Sequence, residues 1–179
     1  QNLIVPSVII YPQNANALGA NWRAETNTNT GHFFLTPTGF VVDPARSTDE
    51  LPVYIGTVGS NQAIVAVETI DETPLEDQAA AEAFLTSFIP GDAEILSSTT
   101  VQQPYASGYL FSYQFTDAEG QITSGAASLL NDAEGDLHFL ELQATGAQTD
   151  VLNVEDNTDF VTDRLNDIVN SFTIMIESY

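Results

Sequence analysis

Three acidic residues at alternate positions, Asp132, Glu134 and Asp136 in "NDAEGDL", have the spacing with which an EF-hand loop presents its first calcium ligands. The rest of that loop is missing. Leu137 stands where the loop requires Gly, and Gln143 stands where the closing Glu belongs. The trio therefore reads as solvated turn residues, and weak calcium binding there is the sole cofactor expectation. The same tetrapeptide, DAEG, occurs at residues 117–120. Nucleophilic catalysis needs a hydroxyl or thiol beside a base, and the chain has no Cys and two imidazoles, His32 and His138. His138 lies among Leu137, Phe139 and Leu140 and reads as a structural histidine inside a strand. His32 follows an Asn/Thr loop and reads as exposed. No nucleophile elbow, phosphate loop or zinc-helix motif is present. Asp163 and Asp167, four apart, fall together on the polar face of a helix, which is a surface rather than a carboxylate pair for glycoside chemistry. The expectation is a non-enzymatic protein.

Charge narrows the partners. The formal net charge of -22 arises from 25 Asp and Glu set against three Arg (Arg23, Arg46 and Arg164) and no Lys. Such a chain repels phosphate backbones and anionic headgroups, which excludes nucleic acid and peripheral binding to anionic membranes. Charged residues are 16% of the chain, too few for a salt-adapted acidic coat, so neutral polar residues are expected to cover the surface. No apolar run reaches the length of a membrane span. The start at Gln1 is read as that of a secreted chain after signal-peptide removal, placing the protein outside the cell, in the periplasm or at the cell surface.

The elements follow from changes of period. "LIVPSVIIYP" (residues 3–12) is β-branched and apolar with Pro6 inside it, as suits an edge strand or one added to another sheet. A polar stretch follows, so residues 1–20 are read as N-terminal strand and linker and residues 21–179 as a single domain. "HFFLTPTGFVV", "LPVYIGTV" and "QAIVAVETI" read as further strands. Thr73 and Glu76 form a capping-box pattern with Pro74 at the first helical position. Leu75, Ala79, Ala83, Phe84 and Phe88 then recur at helical spacing until Pro90-Gly91, predicting a helix of about four turns. "EILSSTTVQ", "YLFSYQFT", "ITSGAASLL" and "LHFLELQA" return to strand period, and the two DAEG segments fall between them as the turns of a meander, each Gly supplying positive φ. Residues 156–158 offer N-caps for a second amphipathic helix with Val161, Leu165, Ile168, Val169 and Phe172 on its apolar stripe. The fold class is α+β: an antiparallel sheet sandwiched by two amphipathic helices, with an extended N-terminal strand.

In this order the elements resemble the PsbP-like proteins, a family of extrinsic photosystem II subunits and related bacterial lipoproteins. The resemblance runs through "IIYPQNANALGANW", "FFLTP", "AIVAVETI" and "LNDIVNSFTI". It implies an α/β/α sandwich, no shared catalytic apparatus, and a role in binding or assembly. Two functions are consistent with the residues. One is a secreted structural subunit that self-assembles into a homopolymer by lending Leu3, Ile4, Val5, Val8, Ile9, Ile10 and Tyr11 to a neighbour's sheet, unless that strand completes its own domain. The other is an accessory module that binds a secreted or membrane-associated protein, or a small ligand among Trp22, Phe33, Phe34, Tyr54, Tyr109 and Tyr113; aromatics at strand spacing also read as core.

Overall fold

A computed structural model gives the fold and describes residues 22–27, 30–58, 61–146 and 167–175. The N-terminal segment with Leu3, Ile4, Val5, Val8, Ile9, Ile10 and Tyr11 lies outside the described residues, as do Asp163 and the start of the second helix. The strands β1 (Trp22–Asn27), β2 (His32–Pro37), β3 (Val41–Val42), β4 (Val53–Val58) and β5 (Asn61–Ile70) precede the helix α1 (Gln78–Phe88). After it come β6 (Glu94–Gln102), β7 (Ala106–Thr116), β8 (Ile122–Asp132), β9 (Leu137–Thr145) and β10 (Thr173–Ile174). They form two sheets. The larger has seven strands in the order β3-β4-β5-β9-β8-β7-β6, and the smaller has three, β1-β2-β10. Every pairing is antiparallel.

The sequence explains why β8 is central. Thr123 to Leu130 are buried without interruption, as expected of a strand covered on both faces. On one face its Ala127 and Leu129 join Phe111, Leu137 and Phe139 under Ala81 and Leu85 of α1. On the other, Ala126 and Leu130 join Leu110, Leu140 and Leu142 under Phe34 of the small sheet and Ile168, Val169 and Phe172 of the C-terminal segment. Residues 167–170 are helical, so the second helix ends where its stripe predicts, with Ile168, Val169 and Phe172 buried. The small sheet shares that face with the helix. The segment "HFFLTPTGFVV", read from sequence as one strand, thus divides: β2 leaves the main sheet and forms a covering layer with β1 and β10, and β3 stays in the main sheet.

Both DAEG segments are turns of the meander. Asp117 Oδ1 accepts the amides of Glu119 and Gln121, and Asp132 Oδ1 accepts those of Glu134, Gly135 and Asp136. Gly120 and Gly135 carry φ of 78° and 91°, conformations glycine adopts without steric cost.

The start of α1 differs from the expectation. Its N-cap is Asp77, whose side chain accepts from the Ala80 amide at 2.8 Å, and the helix has 11 residues, about three turns. Thr73 does not cap it; its hydroxyl donates to the Asp71 carbonyl. The reason is tertiary. Asn131, at the end of β8, donates to the Thr73 carbonyl and accepts the Leu75 amide, and this clamp holds residues 73–75 out of the helix. Asp77 is then the next residue able to cap. The buried stripe moves with the boundary to Ala81 and Leu85, leaving Phe88 about half exposed on top of Phe84 and Phe139.

Candidate functional site: a buried histidine pair between the sheets

Strand parity brings three polar residues, His32, His138 and Thr69, together between the sheets. Along β2 the inward positions are His32, Phe34 and Thr36; along β9 they include His138, Leu140, Leu142 and Ala144; along β5 Thr69 follows Ala63, Val65 and Val67. β5 pairs with β9 so that Thr69 lies opposite His138, and the small sheet lays His32 over both. His32 Nε2 is 3.0 Å from His138 Nδ1, with the rings perpendicular and their centroids 5.2 Å apart. The Thr69 hydroxyl lies 3.1 Å from the first nitrogen and 3.4 Å from the second. The outer nitrogens are also held: His32 Nδ1 by the Thr30 hydroxyl at 2.9 Å, and His138 Nε2 by Asp132 Oδ2 at 2.9 Å.

For a neutral pair, hydrogen-bond direction sets the tautomers. Asp132 accepts three amides on Oδ1; burial acts to raise its pKa, but the bond from His138 and those from the Asp136 and Gly135 amides outweigh it and lower the pKa, so it is a carboxylate. His138 must then donate from Nε2, which leaves a lone pair on Nδ1. His32 must donate to that lone pair from its own Nε2, and its Nδ1 accepts from Thr30. In a neutral pair one unidirectional chain thus runs from Thr30 through His32 and His138 to Asp132, with the Thr69 hydroxyl beside its central bond. Burial, followed by the proximity of His138, pushes the His32 pKa down to about 3.

The site is closed. His32 is 0% exposed and His138 5%, and the Phe172 ring lies 5.4 Å from that of His32. The sequence carboxylate, imidazole, hydroxyl (Asp132, His138, Thr69) has the order of an acyl-transfer triad. However, the hydroxyl is shared between two imidazoles that are themselves buried, and Thr69 is itself only partly exposed. The expectation of an exposed His32 is corrected here: it starts a strand, but on the inward parity of a second sheet. Thr69 and Thr30 were not singled out from sequence. The signal for Thr69 was its position, a polar residue on the apolar parity of β5.

The acidic trio divides among three tasks. Asp132 holds its own turn and His138, Asp136 Oδ1 accepts the Glu72 amide at 2.9 Å, and Glu134 is solvent-exposed. Among the described residues, no three His, Asp or Glu side chains are grouped to hold a metal ion. Of the aromatics, Phe34 and Tyr54 meet edge to face in the core, 5.3 Å apart. Tyr113 is buried on the α1 side, donating to Glu141, with its pKa raised by burial and by that carboxylate. Its ring lies across Gly125, where a Cβ would meet Cζ at 2.2 Å.

No protein-family model matches this chain, and no curated protein matches it. Solved structures do. The solution structure of cyanobacterial PsbP (CyanoP) from Synechocystis sp. PCC 6803 superposes with a TM-score of 0.56 at 18% identity, covering 88% of this chain and 94% of that one. The fold is PsbP-like. A second structure, LpqN of Mycobacterium tuberculosis, involved in cell envelope biogenesis, matches at a TM-score of 0.41 and 17% identity over 89% of this chain and 81% of that one.

Proposed function

We propose that this chain is a non-catalytic accessory module that acts outside the cytoplasm by binding a protein partner of a membrane-associated complex. The observation that carries this reading is the likeness to PsbP over nearly the whole of that chain, on a fold whose two described imidazoles are both locked inside. The charge supports it as well. With 25 acidic residues against three Arg, the chain is suited to a partner that supplies the cations, and electrostatic steering would speed their encounter at low salt.

Self-assembly is the competing reading. Its support is β6, a nine-residue strand at the sheet edge that, among the described residues, pairs with β7 alone. Light scattering and negative-stain microscopy, with and without millimolar calcium, separate the two. The accessory reading expects a monodisperse monomer in both conditions and a salt-sensitive crosslink to a membrane protein in native membranes. Regular filaments that disappear when residues 1–11 are deleted would replace it with strand exchange.

A further inference from the structure

The hydrogen-bonded chain from Thr30 to Asp132 crosses between layers that meet through side chains. His32 belongs to the small sheet, with Ile174 of β10 opposite it, whereas His138, Thr69 and Asp132 belong to the large one. The geometry accepts one added proton without any heavy atom moving. With that proton on His138 Nδ1, across the ring from the Nε2 that faces the Asp132 carboxylate, His32 shifts its own proton to Nδ1, and the Thr30 hydroxyl turns to accept it. A second proton has no such place. It would set N–H against N–H across 3.0 Å, between two cations in a site with 0% and 5% exposure.

Among the described residues, none packed around the pair supplies a second counter-charge. From β8 and its turn come Asp132, already bonded to His138, and Asp136, bound to the Glu72 amide; Glu134 faces solvent. From β1 comes Glu25, one inward position along from Asn27 and held by Arg23 and Thr36. β5 presents the neutral Thr69, with Glu68 on the opposite parity, and the C-terminal segment presents the Phe172 ring and Ile174.

We propose that the His32–His138 contact is an acid-released latch: it holds the three-stranded layer and the C-terminal segment to the large sheet while the pair carries at most one proton, and releases them when a second enters. The sign follows from linkage. His32 freed by opening has its ordinary value of 6.5, and His32 in the closed layer about 3. The closed form is therefore fully favoured above the first value and loses ground as pH falls towards the second. At pH 4 the opening equilibrium stands roughly two- to three-hundredfold higher than at pH 7.5.

Hydrogen exchange of the full chain, read by NMR as protection factors, tests this. Amides of β2 and β10 are expected to lose protection by roughly two hundredfold between pH 7.5 and pH 4, while those of β7 and β8, which exchange only when the whole domain unfolds, stay the more protected at both pH values. His32→Gln, which can still donate to His138 but does not titrate, is expected to abolish most of that fall. Unchanged β2 protection at pH 4, or the same fall in His32→Gln, would overturn the latch. Ring nitrogen shifts of the wild type decide the matter even if the variant fails to fold. His32 is expected as the neutral Nε2–H tautomer at pH 7.5, and a His32 that takes up its proton while β2 stays protected would equally refute the proposal.

Discussion

The two faces of the seven-stranded sheet are closed by different means. On one, a single helix covers a dry cluster in which Leu85 and Ala81 meet Phe111, Leu129 and Leu137, and its polar members, Tyr113 and Glu141, bond to each other at the margin. On the other, a second sheet and a helix end share the cover, and the contact between layers includes two imidazoles, a hydroxyl and a carboxylate. The first face gains stability from apolar area, which does not respond to protons. The second adds a hydrogen-bonded chain whose fit depends on how many protons it holds. One sheet therefore carries a face whose stability is indifferent to acid and a face that is sensitive to it.

Breaking each face in turn sharpens that contrast. Phe172→Ala removes the ring that seals His32 and is expected to cost about 4 kcal/mol in urea unfolding. It should also open the histidines to water, so that part of the pH dependence disappears with it. Leu85→Ala empties the centre of the other face and is expected to cost about 3 kcal/mol, with the same difference from wild type at pH 7 and pH 4.5. Wild-type stability itself is expected to decline by about 3 kcal/mol between pH 7 and pH 4 through His32, whose lowered pKa makes the folded state reluctant to bind a proton that the unfolded state accepts. A flat stability profile over that range would show that the two faces do not differ in this respect. Tyr113→Phe removes a hydrogen bond at the margin of the helical face and is expected to cost about 1 kcal/mol, since Gln143 still donates to Glu141.

The smallest pair of effects concerns where α1 begins. Asp77→Ala should cost about 1 kcal/mol by removing the observed cap, whereas Thr73→Ala should stay within about 0.5 kcal/mol. The reverse ranking would restore the capping box suggested by Thr73 and Glu76. That pattern is a local one, and local reading cannot see Asn131, some 56 residues downstream, whose amide clamps the connection in extended form.

A similar boundary divides the candidate site. The turn role of both DAEG segments was legible because an Asp that captures amides two to four residues ahead and a Gly at positive φ act within one turn. The strand of His138 was legible from alternation, and its burial from the apolar residues around it. The burial of His32 was not legible. A six-residue strand with apolar residues on both parities, Phe34 on one and Phe33 and Leu35 on the other, does not show which side meets a core until its partner sheet is known.

The sequence by itself determined the acidic, base-poor composition, the order of the strands β4 to β9 around α1, the meander and its turns, and the absence of cysteine chemistry. These depend on composition, on period and on contacts within a few residues. Only the tertiary structure decided that β1, β2 and β10 form a separate layer and that His32 meets His138 across 106 positions of chain. It also decided that Asp132 serves an imidazole as well as its own turn. Such contacts arise from the register of strands distant in sequence, and a residue's own neighbours in the chain carry no record of which face will meet which.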